Sequence, residues 1–175
     1  MADPLPLYSG RARRAYFAAV ITYVLYSSPL GELTILLEDG AVIGLCLPKQ
    51  PTPAAEPAGA QDAKAVLRWL DAYFAGKNPP IDFPLKPSGT PFQQSVWNML
   101  RQIPYGTAAS YGTLAKQFPK PMSAQAVGQA VGKNPIPILI PCHRVLGRQN
   151  ALTGYAGGLD AKKFLLTLEH IPFIR

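Results

Sequence analysis

Three apolar, β-branched runs, residues 21–28, 32–37 and 41–47, dominate the early part of the chain. Ser28-Pro29-Leu30-Gly31 and Asp39-Gly40 separate them, and both are turn signals. The pattern predicts a three-stranded antiparallel meander. Pro48, Pro51, Pro53 and Pro57 follow and predict an exposed loop. Over residues 63–75 the period changes: Val66, Leu67, Leu70, Tyr73 and Phe74 recur at helical spacing, and Gly76 ends the run.

Residues 78–89 carry Pro79, Pro80, Pro84 and Pro87 and predict a linker, dividing the chain into units of residues 1–88 and 89–175. Beyond it the apolar positions are helical. Phe92, Val96, Trp97 and Leu100 form one stripe over residues 91–101, stopped by Pro104-Tyr105-Gly106. Ser110 is placed to cap a short helix through residue 117, and Ser123 to cap a second over residues 124–132. Two short helices joined by a turn predict a helix-turn-helix. In the second, Val127 and Val131 face inward and Gln125 and Gln129 lie opposite. Ala124, Ala126, Gly128, Ala130 and Gly132 leave a low surface, poor in the long side chains that read base edges. A last helix, residues 160–170, buries Phe164, Leu165 and Leu168. The fold class is α+β: a small amino-terminal α/β unit with a three-stranded sheet, then a mostly helical unit of winged helix-turn-helix type.

The apolar stretch of residues 15–25 follows Arg11, Arg13 and Arg14, as a secretory signal would. It is too short to span a membrane, and Thr22 and Tyr23 interrupt it. An intracellular, non-secreted protein is expected, and two sparse cysteines, Cys46 and Cys142, fit a reducing compartment. Charge is uneven. Residues 1–87 carry eight Lys/Arg and eight Asp/Glu, whereas residues 88–175 carry nine and two and so hold the whole net +7. No carboxylate lies between Asp82 and Asp160, a distribution that suits a polyanion partner.

The densest chemistry is Pro141-Cys142-His143-Arg144-Val145, after the apolar run of residues 136–140. Thiolate, not thiol, is the nucleophile. Pro141 is suited to open a helical turn with Cys142 at its positive end, and His143 and Arg144 add cationic charge that favours the thiolate. The plain alternative is a buried structural cysteine; Cys46, in its strand-like run, is read that way. Glu169, in the last turn of its helix, is opposed by the helix dipole, so it calls for a partner. His143 is the best candidate, with solvent exposure as the alternative. His170 reads as a surface residue. The first half contains no His and only one Cys, and nothing there suggests catalysis or a metal site.

These residues resemble the O6-alkylguanine-DNA alkyltransferase family. Pro141–Val145 is followed by Gly154-Tyr155-Ala156-Gly157-Gly158-Leu159 and Leu165-Leu166-Thr167-Leu168-Glu169. Gly89-Thr90-Pro91-Phe92-Gln93, Val96-Trp97, Ile103-Pro104-Tyr105-Gly106, Ser110-Tyr111 and Asn134-Pro135 precede it in the family's order. The resemblance implies a DNA repair protein that flips O6-alkylguanine out of double-stranded DNA and transfers the alkyl group to itself, once. Cys142 would be the acceptor, His143 its base through a water, and Glu169 the group orienting His143. Tyr111 would donate a proton or hydrogen bond to the leaving guanine, and Asn134 would tie the helix-turn-helix to the Cys142 segment. Val145 and Tyr155, Ala156, Gly157 and Gly158 would line the base pocket. Ser110, Ala124, Gln125, Ala126, Gly128 and Arg144 would meet DNA or the base.

Two positions depart from the family pattern. Gln125 stands where most members insert an arginine into the base stack, and Ala156 where many have a serine. The resemblance implies no cofactor, no metal, no membrane and a monomer, in bacterial cytoplasm or a eukaryotic nucleus. Two other readings remain at this point. A non-catalytic lesion-binding relative would lack the nucleophilic cysteine, and a helix-turn-helix regulator would leave Cys142, His143 and Glu169 unexplained.

Overall fold

The computed structural model describes residues 19–59 and 61–175. Arg11, Arg13 and Arg14 and the start of the apolar stretch weighed as a targeting signal lie outside the described residues. Among the described residues no helix is long and apolar enough to cross a membrane.

The predicted meander is present as β1 (Thr22–Ser28), β2 (Gly31–Glu38) and β3 (Ala41–Cys46). Gly31, at φ +111°, turns the chain between β1 and β2, and Ser28 Oγ donates to the Gly31 carbonyl at 2.7 Å. Asp39 and Gly40, both at positive φ, make the tight turn into β3. The sheet has four strands, not three. β4 (Glu56–Pro57) comes from the Pro-rich connection and pairs parallel with β1, giving the order β3-β2-β1-β4. Its two residues carry no alternation, so no periodicity announced it.

Helix α1 (Lys64–Phe74) presses Val66, Trp69, Leu70 and Tyr73 onto Leu33, Ile35 and Leu37. Burying an aliphatic side chain of this size contributes roughly 1.5–3 kcal/mol. The predicted linker does not run free. Val42 N donates to Pro84 O and Lys86 N to Val42 O, so residues 84–86 pair along the free edge of β3. That covers an edge that would otherwise offer unpaired groups.

Helix α2 (Pro91–Arg101) begins at a capping box between Thr90 and Gln93. Ser110 caps α3 (Tyr111–Ala115) and Ser123 caps α4 (Ala124–Gly132), each hydroxyl accepting from a backbone N–H three residues on. Trp97 Nε1 on α2 donates to the Ala130 carbonyl at 2.9 Å, which fixes α4. The short strands β5 (Ala109–Ser110) and β6 (Val145–Leu146) pair in parallel and bring the start of α3 beside the Cys142 segment. Helix α5 (Leu159–Leu168) closes the fold. One apolar core runs through both halves, from Leu33 and Leu70 to Leu100, Val127, Ile140 and Leu165.

Candidate active site

Cys142 opens a single 3-10 turn, Cys142–Arg144. Three residues do not build an appreciable helix dipole, so the expected positive helix end is not there. Position comes instead from the loop before it. Asn134, just past α4, donates from Nδ2 to Ile140 O at 2.8 Å and accepts from Ile136 N at 3.0 Å. Leu45 N on β3 donates to Pro135 O at 2.9 Å, so the sheet holds the loop from the other side. Ile138 takes φ +72°, a conformation a β-branched residue adopts only when its surroundings impose it.

Cys142 is 7 % exposed, and burial pushes the pKa of its thiol up. Asn134, Lys162 and Tyr155 pull back against burial without winning. His143 moves the other way: burial lowers it, and the pull of Glu169 does not restore it. The resting pair is therefore thiol and neutral imidazole. This corrects the expectation that a cationic His143 would hold Cys142 as a thiolate.

Behind the turn lies Glu169, 1 % exposed. Its Oε1 accepts from His143 Nε2 at 2.6 Å, Tyr73 Oη at 2.7 Å and Arg144 Nη2 at 3.1 Å. Its Oε2 accepts from Arg144 Nε at 2.7 Å and Gly106 N at 3.4 Å. Burial opposes the charge, but the hydrogen bonds from His143 and Arg144 overcome it and hold the carboxyl down at about 2. A carboxylate there fixes the neutral imidazole with its hydrogen on Nε2. Nδ1 then carries the lone pair, and it is buried without a hydrogen-bond partner.

Beside Cys142 opens a cavity of about 580 Å³, within the range for small-molecule sites. Tyr111, Gly128, Asn134, Tyr155 and Ala156 line it, together with Leu45, Cys46, Gln50 and Pro51 from the first half. Tyr111 Oη lies 3.0 Å from Thr153 Oγ1, and a Cβ at Gly128 would stand 3.5 Å from the Tyr111 ring. The Tyr155 hydroxyl is buried, makes no hydrogen bond of ordinary geometry, and is close enough to Cys142 to feel the charge of a thiolate formed there. Gly157 packs where a Cβ would strike Leu47 Cδ1, and Gly158 sits at φ +90° at the start of α5. Those two glycines shape the loop from behind the lining.

Several expected placements change. Arg144, expected on DNA, is buried: Nη1 donates to Ile103 O at 2.7 Å, the rest of the guanidinium grips Glu169, and its centre lies 5.6 Å from the Tyr105 ring. A desolvated carboxylate is the stronger claim on a guanidinium than a solvated surface. Val145 points into the core rather than the cavity, and its carbonyl accepts from Lys162 Nζ at 2.7 Å. Ser110 is occupied as the α3 cap. Ala124 and Gln125 are exposed on α4, with Ala126 half-buried.

Five residues have functional placements that their sequence pattern did not announce. Tyr73 belongs to a half that offered no chemistry, yet its hydroxyl reaches the carboxylate. Cys46, read as core filling, is half-buried and lines the cavity. Gln50 and Pro51 join it from what was read as an exposed loop. Lys162 is fully buried, its amine pulled down to about 8 by burial, and its Nζ also donates to Thr153 O at 3.2 Å. Its spacing was the available signal: it lies one helical turn before Leu165 and Leu166.

Residues 21–87 match the 6-O-methylguanine DNA methyltransferase ribonuclease-like domain, and residues 91–171 match the 6-O-methylguanine DNA methyltransferase DNA binding domain. A methylated-DNA–protein-cysteine methyltransferase of Haemophilus influenzae is 43 % identical over 87 % of this chain and 88 % of its own. One of Methanosarcina acetivorans is 41 % identical over 84 % and 97 %. The crystal structure of Mycobacterium tuberculosis O6-methylguanine methyltransferase superposes with a TM-score of 0.79 at 40 % identity, covering 86 % of this chain and 93 % of that one. The M. tuberculosis protein in complex with DNA gives 0.79 at 41 % identity, over 85 % and 92 %. With both of its halves matched in order and the cysteine turn set between cavity and carboxylate, the chain belongs to the 6-O-methylguanine DNA methyltransferase family.

Proposed function

We propose that this protein is a methylated-DNA–protein-cysteine methyltransferase, a single-turnover repair protein that takes the alkyl group of O6-alkylguanine in double-stranded DNA onto Cys142. One observation carries the reading: a thiol facing a base-sized cavity, with an imidazole beside it whose other nitrogen is 2.6 Å from a buried carboxylate. The damaged base leaves the helix and enters the cavity, since its O6 substituent is out of reach within the stack. His143 Nδ1 takes the Cys142 proton through a bridging water. The thiolate attacks the alkyl carbon, the C–S bond forms, and the carbon–O6 bond breaks with its electron pair leaving on guanine. Tyr111 donates to the departing base as that charge develops. The thioether is stable, so each molecule acts once.

Ala124, Gln125, Ala126 and Gly128 give α4 a low face suited to close approach of the minor groove, and the +7 charge of residues 88–175 supplies non-specific attraction. Residues 89–175 would form the DNA-binding and acceptor unit and residues 1–88 its scaffold. The protein would act as a monomer inside the cell, in cytoplasm or nucleus, where its two free thiols stay reduced. A non-catalytic lesion binder has no use for Cys142 beside a His143 anchored on a buried carboxylate. Intact-protein mass spectrometry after incubation with O6-methylguanine DNA tests the proposal. One added methyl group, mapped to Cys142, is the expected result. More than one equivalent repaired per protein, or methyl removal by Cys142→Ala, overturns it.

A further inference from the structure

Tyr73 lies on α1, in the half of the chain that the proposed chemistry leaves idle. Its ring is 1 % exposed, stacked on Trp69 at 5.0 Å between centroids and edge-on to Tyr105 at 6.3 Å. A phenylalanine would fill that space equally well. The hydroxyl is the part that needs a reason, because a buried phenol must find an acceptor. It finds Glu169 Oε1 at 2.7 Å and comes within 3.4 Å of His143 Nε2.

The division of labour on the carboxylate is uneven. Oε2 is held by Arg144 Nε and Gly106 N, whereas Oε1 is shared by His143, Tyr73 and the longer contact from Arg144 Nη2. The Tyr73 hydrogen bond therefore acts on the very oxygen that grips the imidazole. With the Arg144 fork, it keeps the carboxylate from turning about its own bond. It also draws negative charge from Oε1, which weakens the pull of Glu169 on a second imidazole proton. We propose that Tyr73 is a positioning residue for alkyl transfer, holding Glu169 Oε1 so that His143 presents an unprotonated Nδ1 to Cys142. The inference rests on His143 accepting the Cys142 proton, and it makes α1 part of the machinery rather than scaffold.

The test is Tyr73→Phe in the full chain, with two readouts. Single-turnover transfer at saturating O6-methylguanine DNA should slow about fivefold, the size of one lost hydrogen bond. The DNA concentration giving half the maximal rate should not move. The ring-nitrogen NMR titration of His143 should shift upward, because Oε1 then acts on the imidazole with fuller charge. Arg144, Lys162, Tyr105, Tyr155 and Cys142 are the other ionisable groups facing this pair, and the substitution leaves all of them in place. Incorporating 3-fluorotyrosine at position 73 keeps the packing while strengthening the donor, and should move the His143 midpoint the opposite way. In a Glu169→Gln background, Tyr73→Phe should add no further loss of rate. An unmoved His143 midpoint in both position-73 variants, or equal rate losses with and without Glu169, overturns the proposal. A His143→Ala protein that transfers at the full rate overturns the underlying reading instead.

Discussion

The Cys142–Arg144 turn has two faces of opposite chemical character. Toward the cavity, the thiol and the Tyr155 hydroxyl are buried among apolar groups, and burial raises the pKa of both. Toward the interior, one carboxylate receives five donor atoms and is driven to about 2. His143 belongs to both faces, with Nε2 on the saturated side and a bare Nδ1 left over. A thiolate held at rest in such a cavity would pay a desolvation cost with little to offset it. The structure instead keeps proton and thiol together, and on the proposed mechanism, with His143 as the base, reactivity depends on order behind the cysteine.

The saturated face is where the largest effects should appear. Glu169→Gln removes the charge that pairs with Arg144 and leaves a buried guanidinium uncompensated, a loss of about 3–5 kcal/mol in stability. Transfer at saturating DNA should fall by an order of magnitude or more, as for other orienting carboxylates. Denaturant titration and single-turnover kinetics on the same sample separate the two. A variant with unchanged stability and unchanged rate would mean that the two faces are not coupled.

Acid should expose the same asymmetry with a somewhat smaller amplitude. An unfolded glutamate titrates near 4.5 and the folded Glu169 near 2, so the unfolded chain binds the proton first. The stabilisation is complete above pH 4.5 and disappears as pH falls toward 2, roughly 3 kcal/mol in all. His143 works in the same direction at higher pH. Its folded value lies below 6.5, so stability already begins to fall as pH drops through that value. Unfolding free energies measured at several pH values from 8 to 3 should decline in these two stages. If Glu169→Gln retained the lower stage, that stage would belong to another group.

Legibility in the sequence divides along the same line. Local signals delivered the elements of the cavity face: the Ser110 and Ser123 caps and the bounds of α2 and α4, while the Asn134 link came with the resemblance. Each is a relation between residues a few positions apart. The interior face is built from Tyr73, Arg144, Gly106 and Glu169, which meet only through the tertiary fold. Periodicity assigned Tyr73 to the core and was right about its ring, but it has no means of seeing where a hydroxyl ends. The resemblance put Arg144 on DNA and nothing drew attention to Lys162, because a sequence does not reveal that a buried acceptor will claim them. The resemblance to the family supplied Glu169 as the partner of His143, which the dipole argument alone had left open. Parallel pairing of β4 and the cavity wall from residues 45–51 are likewise long-range relations without a local pattern.

The cavity face can be loosened without touching a reacting group. Ser123 Oγ accepts from Ala126 N at 3.0 Å and holds the first turn of α4, whose later residues Gly128, Val131 and Gly132 form one wall of the cavity. Ser123→Ala should cost about 1 kcal/mol in stability. Reaction with duplex DNA should slow more than reaction with free O6-benzylguanine, because in the proposed function the frayed turn is the part that meets DNA. Equal slowing of both reactions would place the start of α4 away from the nucleic acid.

The smallest effect separates DNA handling from chemistry altogether. Gln125 is exposed at the start of α4, away from Val127 and Val131, which are buried. An amide there can fill space and hydrogen-bond an orphaned base, but it brings no charge. A guanidinium can stack in the vacated position and pair with phosphate as well. Gln125→Arg should therefore tighten duplex binding roughly threefold, the worth of one exposed charge contact. Repair of O6-methylguanine in duplex DNA at subsaturating protein should rise in step. Reaction with free O6-benzylguanine should not change, since that substrate needs no flipping and enters a cavity the substitution does not touch. Gln125 is not among the hydrogen-bond partners of Glu169 or His143, so any change in the free-substrate rate would have to come through α4 itself. A duplex rate that stayed flat, or two rates that moved together, would show that Gln125 does not occupy the gap left by the flipped base.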